Sequence, residues 1–201
     1  MNLIIIILVL PILLSPPAYA DLSFKVRMEM GAVSLESAYY LKDNRIRVDH
    51  HTGVSAVILL NEGRVIMVDR NSKTYFSSPL HSEEGIRLKE ALNQDALFLQ
   101  KKAKVVSLKK KGNVSGLTCD YQNLTLNYGG IEFDYTVCAV KEPPPEIKQF
   151  KQFTGDHFPE WVIKGEGKIN KVRMSYEVLD VSFNPVSDRL FTLPSGYREY
   201  R

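Results

Sequence analysis

From Leu22 to Met30 the chain alternates strictly. Leu22, Phe24, Val26, Met28 and Met30 fall on one side of the pattern, and Ser23, Lys25, Arg27 and Glu29 on the other. A period of two predicts a half-buried strand, because successive strand side chains point to opposite faces. Val33 to Leu41 continues less cleanly, and Lys42-Asp43-Asn44 is a turn signal. Arg45 to His50 alternates again, with Ile46 and Val48 opposed to Arg45, Arg47 and Asp49. Val54 to Leu60 is almost wholly apolar, and Asn61-Glu62-Gly63 turns the chain into Arg64 to Val68. Asp69-Arg70-Asn71-Ser72 turns it once more into Lys73-Thr74-Tyr75-Phe76. Short strands joined by tight polar turns predict an antiparallel meander.

The period changes at Ser82, which can cap a helix whose first turn carries Glu83 and Glu84. Ile86, Ala91 or Leu92, Ala96, Leu99 and Ala103 recur at helical spacing, so one amphipathic helix is predicted from about 82 to 102. Strands resume at Lys104 to Leu108 and again on both sides of Asn127-Tyr128-Gly129-Gly130. Glu142-Pro143-Pro144-Pro145 breaks the sheet ahead of a short helix, Glu146 to Phe153, with Ile147, Phe150 and Phe153 on one side. Spacing alone leaves two roles for it, a cover packed on the sheet or a mobile lid. Further strands are predicted at Glu160 to Lys164, Lys168 to Leu179 and Val181 to Asn184.

The amino terminus bears on compartment. Leu3 to Leu14 is too short an apolar run to span a bilayer, and Ala18-Tyr19-Ala20 fits a signal-peptidase site. The expectation is a signal peptide over residues 1–20, cleaved after Ala20, and a single domain over 21–201 in the periplasm. A retained membrane anchor is the alternative. A net charge of +3 gives no support for nucleic acid as a partner. The basic run Lys101, Lys102, Lys104 and Lys109-Lys110-Lys111 reads as a solvated strand end, or as a site for an acidic membrane or partner surface.

Two cysteines in an exported chain predict one disulfide. Cys119 and Cys138 are equidistant from the centre of the Asn127–Gly130 turn. A four-residue loop closed by Leu126 and Ile131 sets them directly opposite each other, with Cα atoms about 4.5 Å apart. Their neighbours on that face would be Tyr121, Asn123 and Thr125, which places the bridge outside the core. Catalytic patterns are absent: no Gly-x-Ser-x-Gly elbow, no phosphate loop, no His-Glu-x-x-His and no Cys-x-x-Cys. His50 and His51 are adjacent on a strand, so they are expected to point to opposite faces. Neither an enzyme nor a cofactor or metal is expected. Nine Phe, ten Tyr, one Trp and five Met in a mainly strand protein can line a curved sheet and leave room within, or simply fill a core.

The order of strands, helix, strands, short helix and strands resembles the LolA/LolB-like periplasmic lipoprotein-carrier superfamily. The likeness rests on Arg45-Ile46-Arg47-Val48-Asp49, on Asn61 to Met67 followed by Asp69 to Tyr75, on Gly116-Leu117-Thr118-Cys119-Asp120-Tyr121, and on Leu193-Pro194-Ser195-Gly196-Tyr197. The resemblance is to an uncharacterised branch of that superfamily, which often has Trp where Cys138 stands. It implies an α+β, mainly antiparallel β fold: a strongly curved half-barrel covered by one long and one short helix. It implies a non-enzymatic binding protein for lipid, or for the acyl chains of a lipoprotein, with transient membrane contact allowed. The alternative is an envelope module that binds or senses a protein partner. The expected cavity residues are Phe24, Val26, Met28, Ile46, Val48, Met67, Leu92, Leu99, Phe133, Tyr135, Phe150, Phe153, Trp161, Met174 and Tyr176. The resemblance also implies a lid held by an Arg of an early strand, for which Arg47 is the nearest match.

Overall fold

The computed structural model describes residues 21–87, 104–128, 131–154, 160–169 and 172–200. The first meander is β1 (Leu22–Met30), β2 (Val33–Lys42), β3 (Arg45–His50), β4 (Val54–Leu59), β5 (Arg64–Asp69) and β6 (Thr74–Pro79). The second begins with β7 (Lys104–Val114), β8 (Leu117–Tyr128) and β9 (Ile131–Val140). Helix α1 (Pro145–Thr154) follows, and β10 (Trp161–Ile169) and β11 (Val172–Ser182) complete that meander. A two-residue β12 (Arg198–Glu199) lies at the carboxyl end. All twelve form one curved, unclosed sheet in the order β12-β6-β5-β4-β3-β2-β1-β11-β10-β9-β8-β7. Every pairing is antiparallel except β12 on β6. The two meanders therefore meet at β1 and β11.

Residues paired across strands share a face, so the register defines two sides. On the inner side, Leu22, Phe24, Val26 and Met28 of β1 align with Leu41 and Tyr39 of β2, then Ile46 and Val48 of β3. Ile58 and Ala56 of β4 and Val65 and Met67 of β5 extend the row. In the other direction, Val178, Tyr176 and Met174 of β11 lead to Gly165 and Gly167 of β10, then Val137 and Tyr135 of β9. Helix α1 packs on this side through Ile147, Phe150 and Phe153. The outer side of β2–β5 presents Tyr40, Val57, Leu59 and Ile66, which are covered by Val186, Leu190 and Phe191 of the carboxyl-terminal segment.

Several boundaries differ from expectation. The predicted break between Lys164 and Lys168 is absent, because β10 runs through Gly165 and Gly167. A Cβ at Gly167 would stand 2.2 Å from the Asp134 carbonyl and 2.8 Å from the Tyr135 ring, so glycine serves close strand approach there rather than a turn. Val181 and Ser182 belong to β11, past an irregularity where Asp180 adopts φ 51°. β7 reaches Val114 instead of ending at Leu108, through a bulge between Ser107 and Lys111. Ser82 caps as expected, its Oγ accepting from the Gly85 N–H at 3.1 Å. Helix is described over 83–87, and the remainder of the predicted 82–102 helix, with Leu92 and Leu99, lies outside the described residues.

Cys119 and Cys138 are joined, with Cα atoms 5.3 Å apart. Two corrections apply to the expected geometry. β8 runs to Tyr128 and pairs it with Ile131, so the connection is two residues shorter than expected. Cys138 consequently faces Tyr121, and the bridge crosses the hairpin diagonally. Nor is it outside the core: Cys119 is 2% and Cys138 0% exposed. The β7–β8 turn reaches β11, where Ser115 Oγ donates to the Val178 carbonyl at 2.9 Å. Val114 and both cysteines are thereby buried in one cluster with Ile163 and Val178.

Candidate functional site

The inner face has a tightly filled half and an open half. In the filled half the Phe24 ring stacks on Tyr39 at 4.9 Å, and its edge meets Trp161 at 5.3 Å. Phe150 of α1 stands edge-on to Tyr39 at 5.9 Å. Such contacts add about 0.5–1.5 kcal/mol per pair beyond area burial. Ile46, Val48 and Val26 complete this region, with Met67, Phe153 and Tyr176 packed on its border.

Along the same strands toward the β1–β2 and β10–β11 turns, burial falls away. Met28, Tyr135, Met174 and Tyr176 are half-buried, and Tyr135 Oη donates to Met174 Sδ at 3.2 Å. Burial pushes the Tyr135 hydroxyl up to about 12, so it stays protonated and remains a donor. Met30, Val33 and Val172 at the rim are 45–50% exposed. Methionines and tyrosines thus line the open half, where soft, adaptable side chains tolerate more than one contact geometry. Phe133 is buried farther along β9, on the same face as Tyr135.

Helix α1 is anchored by polar groups as well as rings. Lys151 Nζ donates to the Glu160 carbonyl at 2.5 Å, and Gln122 Nε2 of β8 donates to Glu160 Oε2 at 2.5 Å. On its other flank Gln149 donates to Asn44 in the β2–β3 turn. The helix therefore bridges the two meanders across the inner face.

Arg47 does not hold this helix. It pairs with Tyr40 and Val57 in register and so lies on the outer side. Its guanidinium donates to Asp49 at 2.7 Å, to the Leu190 carbonyl at 2.6 Å and to Ser55 at 3.4 Å. It secures the carboxyl-terminal cover instead of a lid. Arg45 assists there, bonding Asp188 at 2.7 Å and lying 4.9 Å over the Phe191 ring. The Arg45 hydrogen bond, with Lys42 nearby, holds the Asp188 carboxyl below its ordinary range.

His50 and His51 also depart from expectation. Their ring centroids are 4.2 Å apart, because β3 ends at His50 and the chain turns there. Burial, with the neighbouring His51, lowers the His50 pKa. Among the described residues no group of three or more His, Cys, Asp or Glu is placed to hold a metal ion.

Sequence reasoning missed Tyr39, the centre of the ring stack. Its signal was its alternation with Leu35, Ser37 and Leu41, masked by the neighbouring Tyr40. It also missed Glu146, Gln122 and Lys151, three buried polar side chains beside the candidate residues. A glutamate in a helix's first turn looks like a surface dipole partner. Only its four-residue spacing from Phe150 hinted at the inner face.

Fold and site together describe an open, mainly antiparallel half-barrel with an apolar inner face covered by a helix. No family model matches the chain, and no curated protein matches it. Solved structures with a similar chain path include PNGF-II, at 10% identity and a TM-score of 0.41 over 89% of this chain. A chain of the Pseudomonas aeruginosa MucA/MucB complex aligns over 85% of this chain at 10% identity and a TM-score of 0.47. LprF from Mycobacterium bovis aligns over 87% of this chain and 89% of its own at 11% identity, with a TM-score of 0.39. This chain spans 30% of the PNGF-II chain and 54% of the MucA/MucB chain.

Proposed function

We propose that the protein is an exported, non-enzymatic binding protein of the LolA/LolB-like kind, processed after Ala20. Its inner face takes lipid, or the acyl chains of a lipoprotein, in the periplasm. One observation supports this reading above the others: the apolar inner face passes from a packed half, around Phe24 and Trp161, to a half-buried one lined by Met28, Met174, Tyr135 and Tyr176. Burying ten methylenes there would contribute about 8 kcal/mol at roughly 0.8 per methylene. Before binding costs, that corresponds to about micromolar affinity. No charge or metal is required for binding of this strength.

The test is native mass spectrometry of the protein isolated from a bacterial periplasm without detergent. Co-purifying lipid, or a stoichiometric mass shift with an acyl probe, is expected. Protein that stays lipid-free and fails to take up the probe sinks the proposal. A second reading, a polypeptide partner, draws on edge strand β7. Val105, Val106 and Leu108 there are 40–48% exposed among exposed lysines, and among the described residues one side of the strand has no neighbour in the sheet. An added strand from another chain fits such an edge, and retention of a polypeptide in place of lipid would favour it.

A further inference from the structure

Glu146 is 2% exposed, yet among the described residues neither of its carboxylate oxygens has a hydrogen-bond partner. It lies four and seven positions before Phe150 and Phe153, so it shares their stripe of α1. Phe150 meets Tyr39 on the inner face of the sheet. The first-turn position lets the helix dipole favour a negative charge, but a dipole supplies no bond to the oxygens. A buried carboxylate without a partner is strongly unfavourable.

A second acceptor is in the same condition. Gln122 is 6% exposed, and among the described residues its Oε1 has no partner while its Nε2 is committed to Glu160. Gln122 is in register with Val137 and Gly165 on the inner face. The buried cation on the helix, Lys151, is turned to the Glu160 carbonyl. The described buried side-chain atoms left without partners are all acceptors, so what is missing is a donor.

We infer that Glu146 receives the ammonium group of an amine-headed lipid whose chains lie on the inner face. This rests on the lipid-binding reading and adds head-group selection to it. An ammonium carries three N–H donors and a full charge, which suits a carboxylate in a water-poor site. Gln122 Oε1 offers one more acceptor on the same face. A phosphoglycerol head has no cation to offer, so it would leave the carboxylate unpaired.

The test is uptake by the whole exported protein from vesicles of phosphatidylethanolamine or phosphatidylglycerol with identical acyl chains, read by native mass spectrometry. Wild type is expected to load the ethanolamine lipid about tenfold better, the scale of one charge-assisted hydrogen bond. Glu146→Gln is expected to bring the ratio near one and, without lipid, to melt no lower than wild type. Equal loading by wild type overturns the inference, as does a preference that survives Glu146→Gln. So does a melting loss of several degrees in that variant, which would mean the carboxylate has a structural partner. In these three cases the lipid-binding reading stands. If wild type loads neither lipid, that reading falls, and free ethanolamine decides what remains. Stabilisation of wild type but not Glu146→Gln by ethanolamine retains an ammonium site, and no stabilisation removes it too.

Discussion

The Cys119–Cys138 bridge is a crosslink between strands that are already paired, and it is fully buried, so its contribution divides into two measurable parts. The cysteines are 19 positions apart, and closing a loop of that length restrains the unfolded chain by about 3 kcal/mol. Reduction without mutation removes that part. For a domain of this size about 3 kcal/mol lowers the melting temperature by about 6–12 °C. The second part comes from burial at 2% and 0% exposure. C119A/C138A removes both sulfurs from a packed site and adds on the order of 1 kcal/mol per site. C119S/C138S leaves hydroxyls there and is expected to fall a further 1–3 kcal/mol, about the penalty for a buried unsatisfied group. Urea unfolding of oxidised, reduced, Ala and Ser forms gives all four values. Thermal unfolding in which the reduced form melts within about 2 °C of the oxidised one refutes the chain-restraint part. Ser and Ala variants of equal stability refute the burial.

Gly167→Ala is expected to destabilise by about 1–3 kcal/mol, since its Cβ would meet the Asp134 carbonyl at 2.2 Å. Gly165→Ala meets only Val137 Cγ1 at 3.5 Å and is expected to be nearly neutral, so similar urea midpoints for the two would contradict the assigned β9–β10 contact. Arg47→Met leaves Asp49 without its partner at 10% and 15% side-chain exposure, at a cost of about 3 kcal/mol. Hydrogen-exchange protection at Val186 and Leu190 should fall with it while acyl-probe binding stays unchanged. Lost binding at unchanged stability would restore Arg47 as a lid latch. Acid should loosen the same cover. Asp188 has a folded pKa below its ordinary 3.8, so its contribution is full above that value and is lost as pH falls through the lower folded one. Asp188→Asn should remove this dependence from the cleavage rate of the 186–191 segment by an acid-active protease, and an unchanged profile counts against it.

How much was legible depended on whether the cause was local. β1 and β3 follow from their alternation, and α1 begins at Pro145, the last residue of the proline run, where a missing N–H costs nothing. β10 was divided because Gly165 and Gly167 carry the letters of a turn, while what requires glycine at 167 is the Asp134 carbonyl and Tyr135 ring on another strand. The cysteine partners were readable, but their register was not. A loop of two residues and one of four differ only in whether Asn127 and Tyr128 keep pairing. The polar side of Arg45, Arg47 and Asp49 was correctly set apart from Ile46 and Val48. That Leu190 and Phe191 would cover it, some 140 residues later in the chain, left no mark near Arg47. Glu146 is the same problem in sharper form, since a first-turn glutamate beside a proline run bears no local mark of being 2% exposed.

The strand order carries a consequence for assembly. β1 is made before the other described strands, yet one of its edges is completed only by β11, where Arg27 faces Glu177. A chain delivered amino end first can zip β1 through β6 from neighbouring hairpins, and must then wait with that flank unsatisfied until nearly everything else has emerged. Such long-range pairing is slow relative to hairpin formation. During the delay the raw border of Leu22 to Met30 is the part of the nascent protein most open to capture by another strand, or to protection by a chaperone.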